Sequence, residues 1–320
     1  MKVNVKAKKI KSCVVCRFSK FEFMFFSKDR MFDIPGKFIV KKCNNCSLVF
    51  LDPQPSQNLL KKYYPSKKYY AYSRTNEKDI FMIVRNYLIR HYYAQDLFSR
   101  FISSFIQNVP ALPSYVKNGR ILDIGCGDGD TLVLLKSLGW EPHGLDIDLR
   151  SVEVARKRGI YARHGTYKEL LKYPDKYFDA IRLYHVIEHV DDPALCLSLI
   201  HKKLKKGGEL LIGTPSVDSV VAKLFKQYWY NLDTPRHLFL FSPQTLGKVL
   251  NKNNFTIKRV EFCSAGGIPG SLSYVISELL HKKINLIKMP IVLFFYPLEW
   301  LLNKLKIGDV FVIRSSIKSS

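Results

Sequence analysis

A glycine-rich turn is the part of the sequence with the clearest chemical meaning. Its residues are, in order, Asp123, Ile124, Gly125, Cys126, Gly127, Asp128 and Gly129. Glycines let a backbone turn sharply and approach a ligand without a Cβ in the way, and the start of the following helix presents unpaired amides. The Gly-x-Gly-x-Gly spacing differs from the Gly-x-Gly-x-x-Gly pattern of dinucleotide-binding proteins. The turn therefore predicts a nucleotide-like ligand that is not a dinucleotide.

Two carboxylates flank this turn. Asp123 lies two positions before the first glycine, where it suits a cationic amino-acid group better than a pyrophosphate. Asp146 ends the next predicted strand, about 20 residues further on, where a carboxylate can accept both hydroxyls of a ribose. The pair predicts a nucleoside ligand that carries a positively charged amino-acid part.

A second candidate site is the segment from His185 to His189, which contains Glu188 and has the spacing of the inverted zinc-protease pattern. A protease would need both histidines on one face of a helix. Here His185 ends an apolar strand pattern and the segment runs on to Pro193, so we do not expect a protease. We expect these side chains at the carboxyl edge of a sheet, where open α/β folds bind ligands.

A polar loop from Asp233 to Leu238 is a third candidate. Pro235 stiffens the loop, and the planar guanidinium of Arg236 suits a phosphate or carboxylate group. We predict that Arg236 binds the substrate and that His237 takes part in catalysis. The alternative is a purely structural loop.

Four cysteines form two Cys-x-x-Cys pairs that are separated by 26 residues: Cys13, Cys16, Cys43 and Cys46. Four thiolates close a tetrahedral zinc site, and two such turns are the pattern of a zinc ribbon. Because all four ligands come from the protein, the site is expected to be structural. An iron–sulfur cluster and free thiols are the alternatives.

Positioning the glycine-rich turn and the histidines requires an α/β fold. From residue 120 onward, short apolar runs alternate with helical segments, which predicts a Rossmann-like, doubly wound, mostly parallel sheet of seven strands. The predicted strands are Arg120–Ile124, Pro142–Ile147, Ile160–Arg163, Phe178–Val186, Glu209–Ile212, Thr256–Phe262 and Val310–Ile313, and the predicted helices between them are Thr131–Leu138, Ser151–Arg158 and Pro193–Leu204.

Three regions are expected along the chain. Residues 1–60 form a small zinc-ribbon region, 61–119 a helical linker or lid with an amphipathic helix at 77–108, and 120–320 the α/β domain with a helical insertion at about 264–309. Within that insertion, Met289–Leu298 is uncharged but shorter than the roughly 20 residues that span a bilayer. It either packs on the sheet or touches a membrane surface.

The composition is that of a basic globular protein. The formal net charge is +24, and residues 1–119 hold 22 Lys or Arg against 7 Asp or Glu. Such an excess favours an anionic partner, although lysine can also be the default surface residue of a Lys-rich proteome. The basic N-terminus has no apolar stretch behind it, so we expect no secretion signal. Reduced thiols and a cytoplasmic location follow, with peripheral contact at the inner face of the membrane as an alternative.

The glycine-rich turn with Asp146 resembles the first motifs of class I S-adenosylmethionine-dependent methyltransferases. The resemblance implies that S-adenosylmethionine is the cofactor and that it is bound by Asp123, Gly125, Cys126, Gly127, Gly129, Asp146, Ile147 and His185. The segments 178–181 and 186–193 resemble the fourth-strand motif of a subfamily that includes quinone and sugar methyltransferases. Residues 1–60 resemble the N-terminal zinc ribbon of methyltransferases that act on nucleotide-linked sugars and polysaccharide precursors. At Gly165 and Thr166 the chain departs from relatives that carry an acid near the adenine.

Within this resemblance, His189 is expected to remove a proton from an acceptor hydroxyl, with Glu188 orienting it. Alternatively, Glu188, His189 and His185 hold a divalent metal that binds the substrate, as the likeness to quinone methyltransferases permits. A third alternative is that Glu188 and His189 only cap the following helix. Tyr184 is expected to contact the substrate.

The resulting functional expectation is O-methylation of a sugar, nucleotide-sugar or glycan intermediate, with a small, anionic acceptor. The alternatives are a quinone or lipid O-methyltransferase at a membrane surface, an rRNA methyltransferase, and a cofactor-binding protein without activity. The fourth strand ends in Leu183, Tyr184, His185 and Val186 and lacks the Asn/Asp-Pro-Pro-aromatic ending of base-modifying enzymes. We therefore do not expect nucleic acid as the partner.

Overall fold

The computed structural model describes residues 7–65 and 111–318, together with Tyr87, Ile89 and Arg90. These three residues are helical, and Ile89 is fully buried. The rest of the amphipathic helix predicted at 77–108, and most of the predicted linker at 61–119, lie outside the described residues.

The N-terminal region is a small β structure followed by a short helix. Its elements are β1 (Ala7–Lys8), β2 (Phe21–Ser27), β3 (Phe38–Cys43), β4 (Val49–Leu51), β5 (Gln54–Pro55) and α1 (Gln57–Leu60). Strands β2, β3 and β4 form an antiparallel meander, and β1 pairs with β5. The first Cys-x-x-Cys turn precedes β2, and the second connects β3 to β4.

Seven further strands form one central sheet, which confirms the predicted fold class. They are β6 (Arg120–Ile124), β7 (Glu141–Asp146), β8 (Tyr161–His164), β9 (Phe178–Tyr184), β10 (Leu204–Pro215), β12 (Phe255–Phe262) and β13 (Val310–Ile317), with the two-residue β11 (Phe239–Leu240) lying outside this sheet. The order across the sheet is β12-β13-β10-β9-β6-β7-β8. The five strands from β10 to β8 are parallel, whereas β13 runs antiparallel to both of its neighbours.

The helices pack on both faces of the sheet, so the parallel strands are buried and read as nearly continuous apolar runs. They are α2 (Asp130–Ser137), α3 (Leu149–Lys157), α4 (Pro193–Lys203), α5 (Val220–Phe225), α6 (Pro243–Lys252), α7 (Gly267–Leu279) and α8 (Met289–Lys304). Side chains cap several N-termini; Asp192, for example, accepts the Leu195 amide at 3.0 Å, directly before Pro193.

Three strand boundaries differ from the predicted ones, because backbone conformation and hydrogen bonding, and not hydrophobicity alone, determine where a strand begins and ends. β9 ends at Tyr184 because His185 turns to a φ of +56°. β10 begins at Leu204, five residues before the predicted Glu209, because it pairs with Phe178 across a bulge. β13 continues to Ile317 because its antiparallel ladder with β10 and β12 extends through Ser315 and Ser316.

The N-terminal region shares its core with the α/β part of the chain. β4 pairs with β11, and the Leu51 amide donates to the carbonyl of Leu238 at 3.1 Å. Cys13, Cys43 and Cys46 belong to the same buried cluster as β6, β9 and α6. On α6, Lys252 donates to the carbonyl of Val15 at 2.6 Å. The predicted zinc-ribbon region is therefore structurally continuous with the sheet.

The predicted helical insertion consists of α7 and α8. Part of α8 packs inward, with Phe295 and Leu302 against a buried cluster that includes Val40 and Trp229. Its opposite face is exposed and apolar, and Phe294 is 77% exposed. Among the residues that the structure describes, no helix is long and apolar enough to cross a bilayer.

Candidate active site

A cavity of about 200 Å³ opens at the carboxyl edge of β6 and β7, where the sheet brings the predicted ligand-binding residues together. We call it the first cavity. Five of the predicted residues line it, namely Gly125, Asp146, Ile147, His185 and His189. Leu60, Tyr64, Ile124, Leu145, Gly165, Thr166, Tyr167, Val186, Val190 and Asp191 complete the wall.

The glycine-rich turn shapes the floor of the first cavity. Gly125, Gly127 and Gly129 have φ values of +77°, +55° and +84°, which side chains rarely tolerate. A Cβ on Gly125 would also collide with Val186. Gly127, Gly129 and Cys126 belong to the turn but do not line the cavity, and their contact with the ligand stays a prediction.

Asp146 is held in place by the turn itself. Its Oδ2 accepts the Gly127 amide at 2.8 Å, and its Oδ1 accepts the Asp148 amide at 2.8 Å. Burial raises the pKa of the Asp146 carboxyl, while these amide hydrogen bonds oppose the rise. Asp146 thus lies at the end of β7 and lines the first cavity, where the sequence predicts that a carboxylate contacts a ribose.

Asp123 has a structural partner that the sequence did not reveal. Its carboxylate forms a buried ion pair with Arg182 on the neighbouring strand β9, at 2.6 Å, and does not line the first cavity. The register of β6 and β9 places the two residues directly opposite each other. Arg182 also donates to the carbonyl of Ala111 at 2.9 Å. Asp123 therefore links two strands at the glycine-rich turn, and its contact with the ligand stays a prediction.

Glu188 is fully buried beneath three imidazoles. Its Oε1 lies 3.4 Å from Nδ1 of His185 and 3.9 Å from Nε2 of His237, and its Oε2 accepts the Thr214 hydroxyl at 2.9 Å. Burial alone would raise the pKa of Glu188, but the contact with His185 and the other imidazoles lower it to about 2. Glu188 is therefore ionised at neutral pH.

Backbone carbonyls fix the tautomers of His189 and His237. Nδ1 of His189 lies 2.9 Å from the carbonyl oxygen of Arg236, and Nδ1 of His237 lies 2.9 Å from that of Asn231. Because a carbonyl only accepts, each neutral ring carries its proton on Nδ1 and keeps a lone pair on Nε2. Burial, together with the neighbouring His189, lowers the pKa of His237 to about 4. The site thus presents lone pairs that accept a proton or bind a cation.

A second cavity, of about 320 Å³, lies on the other side of His185. Of the predicted residues, Tyr184, His185 and His237 line it. The other wall residues are Met31, Tyr230, Asn231, Asp233, Cys263, Ala265, Gly267, Asp309 and Val310. His185 is common to both cavities, and its φ of +56° is a strained conformation for a residue other than glycine.

The second cavity has a polar wall. Asp309 is buried and accepts the Asn231 amide at 2.7 Å and the Trp229 indole N–H at 2.5 Å. Burial raises the pKa of Asp309 to about 7. A carboxyl with such a pKa both donates and accepts hydrogen bonds near neutral pH, which suits a hydroxylated ligand.

Arg236 does not bind the substrate from this loop; that prediction is wrong. The guanidinium is fully buried and pairs with Asp233 at 2.5 Å and with Asp29 at 2.7 Å. It also donates to the carbonyl of Tyr63 at 2.8 Å. Two buried carboxylates already satisfy it, so no phosphate or carboxylate of a ligand reaches it. Arg236 instead ties the N-terminal region to the loop that carries His237.

Tyr64 and Met31 are site residues that the sequence did not reveal. The Tyr64 hydroxyl lies 3.1 Å from Nδ1 of His189, although the two residues are 125 positions apart. Met31, in the loop between β2 and β3, lines the second cavity. Neither residue belongs to a motif that predicts a binding or catalytic role, so only the tertiary fold identifies them as site residues.

The four predicted zinc ligands converge within the N-terminal region. All four Sγ atoms lie within 4.8 Å of one another, and the Cys13–Cys46 and Cys16–Cys43 pairs are 3.5 and 3.6 Å apart. A tetrahedron with Zn–S bonds of about 2.3 Å has edges of about 3.8 Å, so the thiols fit zinc. In both turns the residue after the second cysteine, Arg17 or Ser47, has a φ of +66°.

Residues 90–260, just over half of the chain, match the model of a protein family described as "Methyltransferase domain". The chain belongs to this methyltransferase family. The seven-stranded sheet and the glycine-rich turn agree with this family assignment.

Similar curated proteins are named as ubiquinone biosynthesis O-methyltransferases. The chain is 29% identical to that of Pelagibacter ubique over 160 residues, which cover 46% of this chain and 65% of the relative. It is 32% identical to that of Alkalilimnicola ehrlichii over 101 residues, or 30% of this chain and 41% of the relative. The chain thus matches less than two thirds of the length of these relatives. None of these proteins is named for a sugar or polysaccharide substrate.

Solved methyltransferases superpose partially. A SAM-dependent methyltransferase from Archaeoglobus fulgidus covers 74% of this chain and 100% of its own, with 23% identity and a TM-score of 0.44. One from Mesorhizobium loti covers 69% of this chain and 98% of its own, with 17% identity and a TM-score of 0.45.

Proposed function

We propose that this methyltransferase methylates a hydroxyl oxygen of a small acceptor, with His189 as the base. The observation that carries the proposal is the pair of adjacent imidazoles, of which His189 lines the first cavity and His237 the second. S-adenosylmethionine, bound beside Asp146, supplies an electrophilic methyl group. The acceptor would occupy the second cavity.

The residues support a simple proton transfer. Nε2 of His189 accepts the proton of the acceptor hydroxyl as the oxygen forms its bond to the methyl carbon. The carbonyl of Arg236 holds Nδ1–H, which keeps Nε2 as the basic atom. The buried charge of Glu188 stabilises the imidazolium that results. Positioning the reactants supplies much of the remaining rate.

A divalent cation is the alternative use of the same atoms. One ligand atom each from Glu188, His189 and His237 lie within 4.8 Å of one another. Backbone carbonyls orient both imidazoles through Nδ1, which is the usual support of metal-binding histidines. His237 takes the place that the sequence predicted for His185. A cation here would bind and acidify the acceptor hydroxyl.

Two classes of acceptor, a quinone-type ring and a sugar, each have a supporting observation. The names of the relatives favour the hydroxyl of a quinone-type ring, which the sequence supplied as an alternative. The polar wall of the second cavity, with Asp233, Asn231 and Asp309, favours a polyhydroxylated acceptor such as a sugar. The family match ends at residue 260, so it includes Asn231 and Asp233 but not Cys263, Asp309 and the other wall residues that follow. The quinone-type ring is our first candidate and the sugar our second.

We also infer that one zinc ion occupies the four-cysteine site and stabilises the N-terminal region. The four Sγ atoms lie within 4.8 Å of one another, close enough for one zinc ion, which supports this role. Since Met31 and Tyr64 reach the two cavities from this region, zinc would act on the active site indirectly.

The test is methyl transfer from labelled S-adenosylmethionine to hydroxylated quinone precursors, nucleotide sugars, glycans and RNA, with and without a chelator. Transfer to a hydroxyl of a quinone precursor or sugar is the expected result, and transfer to RNA alone would contradict it. His189→Ala should bind cofactor normally and lose turnover by about a hundredfold or more. Normal turnover of this variant excludes His189 as the base, and activity abolished by chelation favours the cation.

A further inference from the structure

Helix α8 (Met289–Lys304) exposes apolar side chains and buries polar ones, which is the reverse of the arrangement expected for a helix whose outer face contacts only water. Its outward face carries only apolar residues apart from a terminal lysine, at the three- and four-residue spacing of one helical face. The exposed apolar residues are Pro290, Leu293, Phe294, Pro297, Leu298 and Leu301, and Leu305 follows at the end of the helix. Phe294 is 77% exposed and Leu293 59% exposed.

The polar residues of α8 point inward and fix its orientation. Glu299 is buried and accepts the amides of Gly266 and Ile268 at 2.6 and 2.9 Å, at the start of α7. Asn303 is also buried and exchanges hydrogen bonds with the backbone of Ser264. Rotating α8 to hide its apolar face would break these hydrogen bonds. The exposed apolar surface is therefore a fixed feature of the fold.

The rim of this surface is positively charged. From residue 279 to residue 307 the sequence contains five lysines and a single acidic residue, the buried Glu299. All five lysines are exposed: Lys282, Lys283, Lys288, Lys304 and Lys306. An apolar helix face with a basic rim matches the interface of an anionic bilayer, with acyl chains opposite the leucines and lipid phosphates opposite the lysines.

We propose that the protein docks on anionic membranes through the outward face of α8, with the helix lying in the plane of the interface. At 16 residues, α8 is about 24 Å long and too short to span the bilayer. Lys283 lies 3.5 Å from Asp33 and Glu278 pairs with Lys28, so the other four lysines carry the excess of positive charge, which favours anionic lipid phosphates as the partner. The lysine rim is the observation that favours lipid over a second copy of the chain.

Docking through α8 would bring the second cavity close to the lipid. Ala265 and Gly267 line that cavity directly before and at the start of α7, and Asp309 and Val310 line it shortly after α8. The α7–α8 insertion is thus both the proposed membrane contact and one wall of the second cavity. An acceptor that resides in the membrane would reach the site over a short path.

Co-sedimentation of the full chain with vesicles tests the proposal without any assumption about activity. One vesicle preparation contains phosphatidylcholine alone, and the other contains one third phosphatidylglycerol. We expect binding to the anionic vesicles that is at least tenfold tighter and that weakens with added salt. Equal binding to both preparations, or binding to neither, would overturn the proposal.

Variants separate the apolar and the electrostatic contributions. Phe294→Ser with Leu298→Ser should weaken binding to anionic vesicles by about tenfold or more. Lys282→Gln with Lys288→Gln should weaken it roughly 25-fold, at about fivefold per lysine. Leu171→Ser is the matched control, because Leu171 is 67% exposed but lies in the segment after β8. It should bind like the unmodified protein.

Thermal unfolding shows whether each variant is folded, and sedimentation velocity detects self-association. Variants that keep their melting temperature but lose vesicle binding support the proposal. A stable dimer that Phe294→Ser dissociates, with no vesicle binding, would assign the face to a second copy and overturn the proposal.

Discussion

The imidazoles of His189 and His237 lie with their ring centroids 4.7 Å apart and their planes at 70°. One ring belongs to the cavity beside the glycine-rich turn, and the other belongs to the polar cavity behind it. Both are oriented by backbone carbonyls and share one buried carboxylate beneath them.

Removing the charge of Glu188 should slow methyl transfer with little effect on cofactor affinity. Glu188→Gln keeps the shape of the side chain but no longer stabilises a protonated imidazole, so we expect kcat to fall by about a hundredfold or more. Thr214→Val, which removes only the hydroxyl that Glu188 accepts, is the milder comparison. Single-turnover kinetics with cofactor titration measures both effects. An unchanged kcat for Glu188→Gln would contradict the role of the charge.

Acid should destabilise the protein through His237. The pKa of His237 is about 4 in the folded state and about 6.5 in the unfolded chain, so the unfolded chain binds more protons between these values. Stability is therefore lost as the pH falls from about 6.5 to about 4, by up to ~3 kcal/mol. His237→Asn should flatten this part of the pH dependence. Urea unfolding at a series of pH values tests the prediction, which fails if the two proteins show the same slope.

Asp146→Asn should weaken cofactor binding. The substitution removes a charge-assisted acceptor for ribose and sets an amide group against the N–H of Gly127 or Asp148. We expect the Kd for S-adenosylmethionine to rise by about 10- to 100-fold. Asp148→Asn is a matched control, since Asp148 caps α3 by accepting the Ser151 amide at 3.2 Å and does not line the first cavity. Isothermal titration calorimetry distinguishes the two, and equal affinities would refute the assignment.

Arg236→Met should destabilise the fold strongly. It leaves Asp233 and Asp29 as buried carboxylates without their cation, which typically costs about 3–5 kcal/mol. Arg259→Met serves as the control, because the Arg259 side chain is 71% exposed and its ion pair with Glu261 is worth about 1 kcal/mol or less. Denaturant unfolding compares the two. Similar losses of unfolding free energy in the two variants would show that the buried ion pairs of Arg236 stabilise the fold no more than the exposed pair of Arg259 does.

Zinc analysis tests the cysteine site. We expect about one zinc per chain by elemental analysis, in line with a closed four-thiolate site. Cys46→Ser should lose the metal and unfold at a lower temperature, because binding of a structural metal contributes to folding. Cys196→Ser changes a buried cysteine outside the cluster and should keep the metal. Zinc near zero in the unmodified protein, or full zinc in Cys46→Ser, would rule the site out.

Local sequence patterns predict much of this molecule. The strand Arg120–Ile124 is predicted to the residue, because a buried parallel strand is a continuous apolar run that ends at a glycine. The two Cys-x-x-Cys turns, the glycine-rich turn and Asp146 depend on short-range spacing in the same way. The seven-stranded sheet follows from the alternation of such segments.

Interactions between distant residues are what the sequence does not reveal. An arginine such as Arg236 is a typical anion-binding residue, but here its guanidinium already donates to Asp29, which lies 207 positions away in the sequence. Asp123 has a partner in Arg182 because of the strand register, which hydrophobic patterns alone do not determine. Tyr64 reaches His189 across 125 positions. For each of these residues, the residue type indicates which interactions are possible, and the tertiary structure determines which of them is formed.

The pairing of β4 with β11 has a consequence for protein engineering. β4 of the N-terminal region pairs with residues 239–240, so separating these two strands would leave backbone N–H and C=O groups without hydrogen-bond partners. Chimaeras that exchange residues 1–60 between related methyltransferases should therefore carry the 233–241 loop along with them, as one cassette. We expect a junction drawn at residue 60 alone to destabilise the product, whereas a paired exchange would also transfer Met31, Asp233 and His237, which line the cavity where we propose that the acceptor binds.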